Sequence, residues 1–599
     1  MMQNFAGISV VISPNRVAAA ACQHLASTSP YTKTLGRTLT SPRFSRSSKN
    51  TYFGLQRPYR TGRSSVILST SDRPCKLTGA HLCQMTRLGR LSVVTYVDAV
   101  LLMSWHLSDN IVTSVYFFVG KLRILSKIMA IDLVAVHNFK GTLSDNADVV
   151  TRESDNYEAS IKRWSAAAEK PAGIIVFPTT PNDVSKAVLF SKAQGLELAV
   201  VGGGHGTSGA SSTDGGLCID LSKMRAVTVD EKAKTLSVEG GALWGDVDKE
   251  AAKFGLAAVG GTVNHTGVGG LTLGGGYGLL TPEYGMVIDN LLEVEVVLAD
   301  GNIVNASSSE NPDLFWAARG AGIGFGVFTK FVYQAHDQKG PVWGGMMVFP
   351  REKLDSLITF ANKEIQDENG KSALFLGFAA PPPAFQPVVM AVVFYNGTEE
   401  EGNSHFKDVL ELGPLINQTS EMPYTSVNEM LNPAMFHGLR RTTKGSAFLI
   451  PLKPKFADSI FDDWVEFITQ NPDADATMVL WEFVPYKRIL EISQTATSFA
   501  NRGAYGNLLF GPGWTKPEND KICREWTRTM STKTRAELEN NISKGTDDTT
   551  KTSVGEYANY DSLGASGQTV FGVNFPRLAE LKKKYDPQNV FAMGPSLVV

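Results

Sequence analysis

An α+β fold is predicted for this chain, in two successive parts. A glycine-rich region of mixed strands and helices comes first, then an antiparallel sheet with helices on one face. Three observations predict it. From about Ala130, short apolar runs alternate with amphipathic stretches without regular strand–helix winding. Three glycine clusters, Val201–Gly206, Gly260–Gly278 and Arg319–Phe328, interrupt this region. Beyond about Gln338 the glycines thin out, and aromatic and polar strand-like runs take over.

The elements follow in order. TTPNDVSKAVLFSKAQG predicts a capped amphipathic helix opened by Asn182 or Asp183, with Val184, Val188 and Leu189 as its apolar stripe and Gly195 as its stop. LELAVV and LCIDLS read as strands, AVTVDEKAKTLSVEGG as two strands about a turn, and LWGDVDKEAAKFG as a helix. LLEVEVVLADGNIVNA is a hairpin with Asp300-Gly301 at its turn. In the second part, PVWGGMMVF, PVVMAVVFYNG, ATMVLWEFVPY and YGNLLFG are strands, and FADSIFDDWVEFITQ and KICREWTRTMSTKTRAELENNI are helices. The tail NFPRLAELKKKYDPQNVF is a short helix stopped by Pro587.

Residues 1–128 read as a low-order basic extension. No acidic residue occurs from Met1 to Ser71, while Arg, Lys and Ser recur, the composition of an organelle transit peptide or of an unselected extension. Met129 would then be the functional start and the product cytoplasmic. The apolar stretch 93–120 is broken by Asp98, His106 and Asp109, so its uncharged runs fall short of the ~20 residues of a spanning helix.

Of 599 residues, 43% are hydrophobic and 19% charged, as in ordinary soluble proteins, and the net charge of −2 gives no basis for a nucleic-acid partner. Five cysteines exclude a disulfide framework, and no Cys/His spacing suits a structural metal, so none is expected.

The three glycine clusters carry the functional signal. None sits between a first strand and a helix with an acidic residue about twenty positions on, so a nicotinamide fingerprint is excluded, and there is no Walker lysine. Three such loops suit a long anionic ligand lying across several backbone segments, as a dinucleotide flavin would.

The stretches PTTPNDVSKAVLFSKAQGLELAVVGGGHG, GGTVNHTGVGGLTLGGGYG, EYGMVIDNL, NPDLFWAARGAGIGFGVFT, YANY and FGVNFPRLAELKKKYDPQNVF together resemble the berberine-bridge-enzyme-like oxidoreductases. These belong to the vanillyl-alcohol-oxidase superfamily of PCMH-type FAD flavoproteins. The resemblance runs from about Tyr157 to Phe591. It implies a two-lobed FAD-binding domain over 129–337, a substrate domain over 338–555, and a C-terminal segment, 556–599, returning to the FAD domain.

The resemblance also implies site roles. His205 would be the point of covalent attachment to the flavin 8α-methyl group, with Gly203, Gly204 and Gly206 offering N–H groups to the pyrophosphate. Val201, Gly202, Thr207 and Ser211 would complete that loop. Thr262, Val263, Gly267, Gly269, Gly270, Gly274 and Gly278 would form the second wall, with Val327 and Asn559 at the edges. Val263 stands where bicovalent members carry cysteine, which implies single attachment. Thr266 stands where members control oxygen access. Tyr557 and Tyr560 are the leading candidates for the catalytic base, with Glu482 and Tyr505 behind them. Asp289 and Asn290 would brace the cofactor loop, and His265 would be a structural loop residue.

The expected activity is two-electron oxidation of a small organic molecule, a secondary metabolite or alcohol, with O2 or another acceptor reoxidising FAD. A carbohydrate or lactone oxidase and an inert flavoprotein are the alternatives.

Overall fold

The computed structural model describes residues 65–68, 75–78, 133–381, 385–543, 553–560 and 564–598. The stretch 93–120 and Met129 lie outside the described residues. Ser65–Leu68 and Cys75–Thr78 pair as a short antiparallel hairpin. From residue 133 onward, three larger sheets carry the fold.

The first sheet has four strands in the order Asp148–Thr151, Ile174–Phe177, Leu217–Asp220, Leu198–Val201. Its last three strands are parallel. Ile174, Ile175, Val176, Leu217, Cys218 and Ile219 are fully buried, the continuous apolar run of strands covered on both faces. Helix Pro181–Gln194 makes the crossover from Ile174–Phe177 to Leu198–Val201. It starts earlier than Asn182. Thr180 is the N-cap, its hydroxyl accepting from the Asp183 N–H while the Asp183 carboxylate accepts from the Thr180 N–H, and Pro181 takes the first turn. Gly195 ends it at φ +62°, as expected. Leu189 is 44% exposed and lies off the buried stripe, which Val184, Ala187, Val188 and Ser191 form instead.

The second sheet is antiparallel, ordered Ile303–Ser307, Leu291–Val297, Val327–Gln334, Thr235–Glu239, Val227–Asp230. The expected hairpin turn is present, with Gly301 at φ +85°.

The third sheet has eight strands and is antiparallel. Its order is Ile416–Asn417, Val342–Phe349, Val388–Tyr395, Ser372–Ala379, Met478–Phe483, Tyr505–Gly511, Lys444–Leu449, and Ser420–Met422 also pairs with Val342–Phe349. Four of these strands, SALFLGFA, KGSAFL and the short Ile416–Asn417 and Ser420–Met422, are not marked out in the sequence. The sheet is buried on both faces. On Met478–Phe483, Val479, Trp481 and Phe483 pack with helices Leu354–Glu364 and Pro454–Gln470. The period of two turns Met478, Leu480 and Glu482 to the other face, toward the site described below.

The C-terminal helix Phe575–Tyr585 is fastened by an almost completely buried ion pair. The Lys582 ammonium meets Asp586 at 2.7 Å and donates to the carbonyls of Gly324 and Phe591, while Asp586 accepts from the Val590 and Phe591 N–H groups. Each charge is matched by further hydrogen bonds, the condition for burying a pair at acceptable cost.

Asp248, on helix Trp244–Ala252, is buried with Oδ2 accepting from Asn428 and Oδ1 without a partner. Burial pushes its pKa up to about 7, with Glu429 adding to the rise and the Asn428 bond opposing it. A carboxyl whose folded pKa exceeds its unfolded value stabilises the fold most at low pH, and that contribution fades as pH rises from about 4 to about 7. Asp248→Asn is therefore expected to flatten this limb of stability against pH. Denaturant unfolding at pH 5 and pH 8 should show a gain that is larger at pH 8, and an equal effect at both would refute the assignment.

Candidate active site

The glycine loops, the inner face of the eight-stranded sheet and the C-terminal segment enclose a cavity of about 750 Å³, within the range of cofactor and substrate sites. One wall is backbone. Gly203 and Gly267 come so close that a Cβ on Gly203 would stand 2.2 Å from the Gly267 nitrogen, which locks the two loops together. At Gly206 and Gly270, which also line the cavity, an added Cβ would meet no protein atom within 4 Å. Here the main chain borders open space and can approach a ligand closely. Ser211 adds a buried hydroxyl with no hydrogen-bond partner, and Lys170 lies beside it, its ammonium donating to the carbonyls of Gly209 and Ser212. Bare backbone, an unsatisfied hydroxyl and one cation are what a pyrophosphate needs, so these residues fit FAD.

Of the residues expected at the cofactor, Gly202, Gly203, Gly204, His205, Gly206, Thr207, Ser211, Thr262, Val263, Gly267, Gly269, Gly270, Gly274 and Asn559 line the cavity. Three do not. Val201 and Val327 turn their side chains into the core, and their neighbours Val200, Gly202, Gly326 and Phe328 form the wall instead. Strand alternation causes this, since adjacent residues face opposite ways. Gly278 packs against Gly260, whose carbonyl oxygen would lie 1.9 Å from an added Cβ.

His205 stacks on Trp164, with ring centroids 5.0 Å apart and planes 11° from parallel. Its Nε2 lies 2.7 Å from Nδ1 of His265, and His437 stands edge-on to it at 5.9 Å. Burial, then the neighbouring imidazoles and Arg441, lower the His205 pKa to about 3, so the ring is neutral and has an available lone pair. The expected loop residue His265 is thus the direct partner of His205. Asp289 and Asn290 do brace the adjoining turn. Asp289 pairs with the fully buried Arg502 at 2.6 Å, and the Asn290 amide donates to the carbonyls of Tyr284 and Met286.

At the opposite end, Glu482 is 5% exposed. Its Oε1 accepts from the Tyr560 hydroxyl at 2.6 Å, and Oε2 has no partner. Burial pushes its pKa up to about 7 against the bonds from Tyr560 and Asn507. Tyr557 accepts from the Gly276 N–H at 3.1 Å and from Asn559 at 2.8 Å. Burial holds the hydroxyls of Tyr557, Tyr560 and Tyr505 well above the ordinary phenol pKa. Tyr505 does not line the cavity. It donates to the Asn501 carbonyl and accepts from Tyr277, which does.

Tyr277, Lys170, Trp164 and the His265–His437 pair were not singled out as site residues by the sequence. Tyr277 had a signal, as the aromatic residue inside the second glycine cluster. The others are joined to the site only by the fold.

Comparison with known proteins agrees with this geometry. A family model described as "FAD binding domain" matches residues 172–307, and one described as "Berberine and berberine like" matches 556–597. The FAD-linked oxidoreductase pgmH of Aspergillus terreus is 32% identical over 454 residues, covering 73% of this chain and 90% of the relative. (R)-6-hydroxynicotine oxidase of Paenarthrobacter nicotinovorans is 37% identical over 219 residues, 37% of this chain and 45% of that enzyme. The structure of 6-hydroxy-D-nicotine oxidase from Arthrobacter nicotinovorans superposes with a TM-score of 0.65 at 25% identity, over 76% of this chain and 98% of that one. Xylooligosaccharide oxidase from Myceliophthora thermophila shares the fold, with a TM-score of 0.64 at 20% identity over 77% and 99% of the two chains.

Proposed function

Because the chain belongs to the berberine-bridge-enzyme-like FAD-linked oxidoreductases, we propose that it oxidises a small secondary metabolite or alcohol by two electrons, with FAD held covalently through His205. Electrons pass on to O2 or another acceptor. The cofactor lobes are read as residues 129–337 and 556–599, and the substrate domain as 338–555. The observation that carries the reading is Glu482, the one carboxylate among the described residues lining the cavity, buried and with one oxygen unpartnered.

FAD, when bound, supplies the hydride acceptor. The chain's own residues do the rest. Ionised Glu482 takes the substrate proton at Oε2, while the Tyr560 hydroxyl fixes Oε1 and orients the carboxylate. A base with a pKa near 7 is matched to neutral pH, whereas the buried tyrosines stay protonated and act as donors. Tyr557, placed by the Gly276 N–H and Asn559, and Tyr277 orient the ligand. Leu431, Met435, Met478, Leu480 and Leu509 shield the reaction from water, and this apolar lining favours a metabolite over a sugar.

Acid precipitation tests the attachment. Wild-type precipitate should remain yellow and His205→Ala precipitate should be colourless. A colourless wild-type precipitate would overturn the covalent link. Peroxide release from the yellow protein, screened aerobically against phenols, alkaloid-like amines and sugars, tests the activity, and response to sugars alone would overturn the metabolite reading.

A further inference from the structure

His205, His265 and His437 come from three separate chain segments, yet one ring nitrogen from each lies within 4.8 Å of the others. The closest pair, His205 Nε2 and His265 Nδ1, is 2.7 Å apart, and the His265 and His437 rings are tilted by 49° with centroids at 4.9 Å. Tetrahedral Zn–N bonds of ~2.0–2.1 Å hold their nitrogens about 3.3 Å apart, within the range spanned here. His205 lines the cavity, so a fourth position can be taken by water.

We propose that, while His205 carries no flavin, His205, His265 and His437 bind one divalent transition ion, Zn²⁺ foremost. Arg441 is the opposing charge. Its guanidinium lies over the Trp164 ring at 4.8 Å and donates to the carbonyls of Ala434 and Phe436, so it tempers the affinity without closing the site. Imidazole nitrogens suit zinc, cobalt, nickel and copper, and Mg²⁺ and Ca²⁺ are excluded by the absence of oxygen ligands in the triad. A further consequence rests on the His205 attachment reading: ion and flavin contend for one imidazole, so the metal restrains cofactor attachment.

The test uses the full-length chain produced under riboflavin starvation and titrated with Co²⁺ alone. One equivalent should bind with a visible ligand-field band. His437 is exposed, so His437→Ala leaves the core intact, and it should weaken Co²⁺ binding at least tenfold. No band in the wild type, or one unchanged in both His437→Ala and His265→Ala, overturns the site. Preloading with Zn²⁺ before adding FAD should slow formation of acid-stable flavin at least tenfold, and His437→Ala should abolish that delay. An unchanged rate overturns the competition. If no acid-stable flavin forms even without zinc, the attachment reading fails while the Co²⁺ result still decides the metal site.

Discussion

Replacing Glu482 with glutamine is expected to lower kcat by about 10²–10⁴-fold while leaving the acid-stable flavin unchanged. Glutamine keeps the shape of the side chain and can still accept from the Tyr560 hydroxyl, so packing on the inner face of the sheet is preserved. What is lost is the one carboxylate among the described residues of the cavity wall. In the wild type, kcat/KM should rise with pH through about 7, because burial holds the carboxyl protonated below that value and only its ionised form accepts a proton. That limb should disappear in Glu482→Gln. Activity within threefold of wild type, or a surviving limb near pH 7, would transfer the proton acceptor to another group.

Gly203→Ala should be among the most damaging single methyl groups in the glycine loops. Its Cβ would fall 2.2 Å from the Gly267 nitrogen and 2.6 Å from its Cα, and both are backbone atoms with no rotamer to change. One loop must move, at a cost of at least ~3 kcal/mol, beyond the usual range for a surface substitution. The expected result is a chain that unfolds at lower denaturant and is recovered without flavin. Gly206→Ala is the matched contrast. Its Cβ meets no protein atom, so apoprotein stability should stay within about 0.5 kcal/mol of wild type while flavin content falls. Equal loss of stability in both variants would show that the loops are not held by the Gly203–Gly267 approach.

Much of this site is legible in the sequence because backbone approach demands glycine. Three clusters of a residue that stabilises neither helices nor strands needed a ligand to account for them, and most of the expected contacts line one cavity. The errors arose where side-chain direction mattered. Val201 and Val327 lie beside wall residues, but the period of two turns them into the core. The priority of Glu482 over the tyrosines was hidden for another reason: a glutamate flanked by Trp481 and Phe483 reads as a strand residue, and only the paired sheet reveals that it is buried with an unpartnered oxygen. The histidine triad was beyond reach, because no local spacing joins residues 60 and 232 positions downstream of His205. The strand SALFLGFA was missed because it lacks alternation, being covered on both faces, and KGSAFL because its first three residues, Lys444, Gly445 and Ser446, are not strand formers.

The buried Lys582–Asp586 pair ties Gly324 to Phe591, and the segment just beyond it, Ala592–Ser596, forms part of the same cavity wall as Gly203 and Glu482. During synthesis on the ribosome, the glycine loops therefore emerge hundreds of residues before the last piece of their wall. A nascent chain has no finished chamber for a dinucleotide until Ser596 has been added.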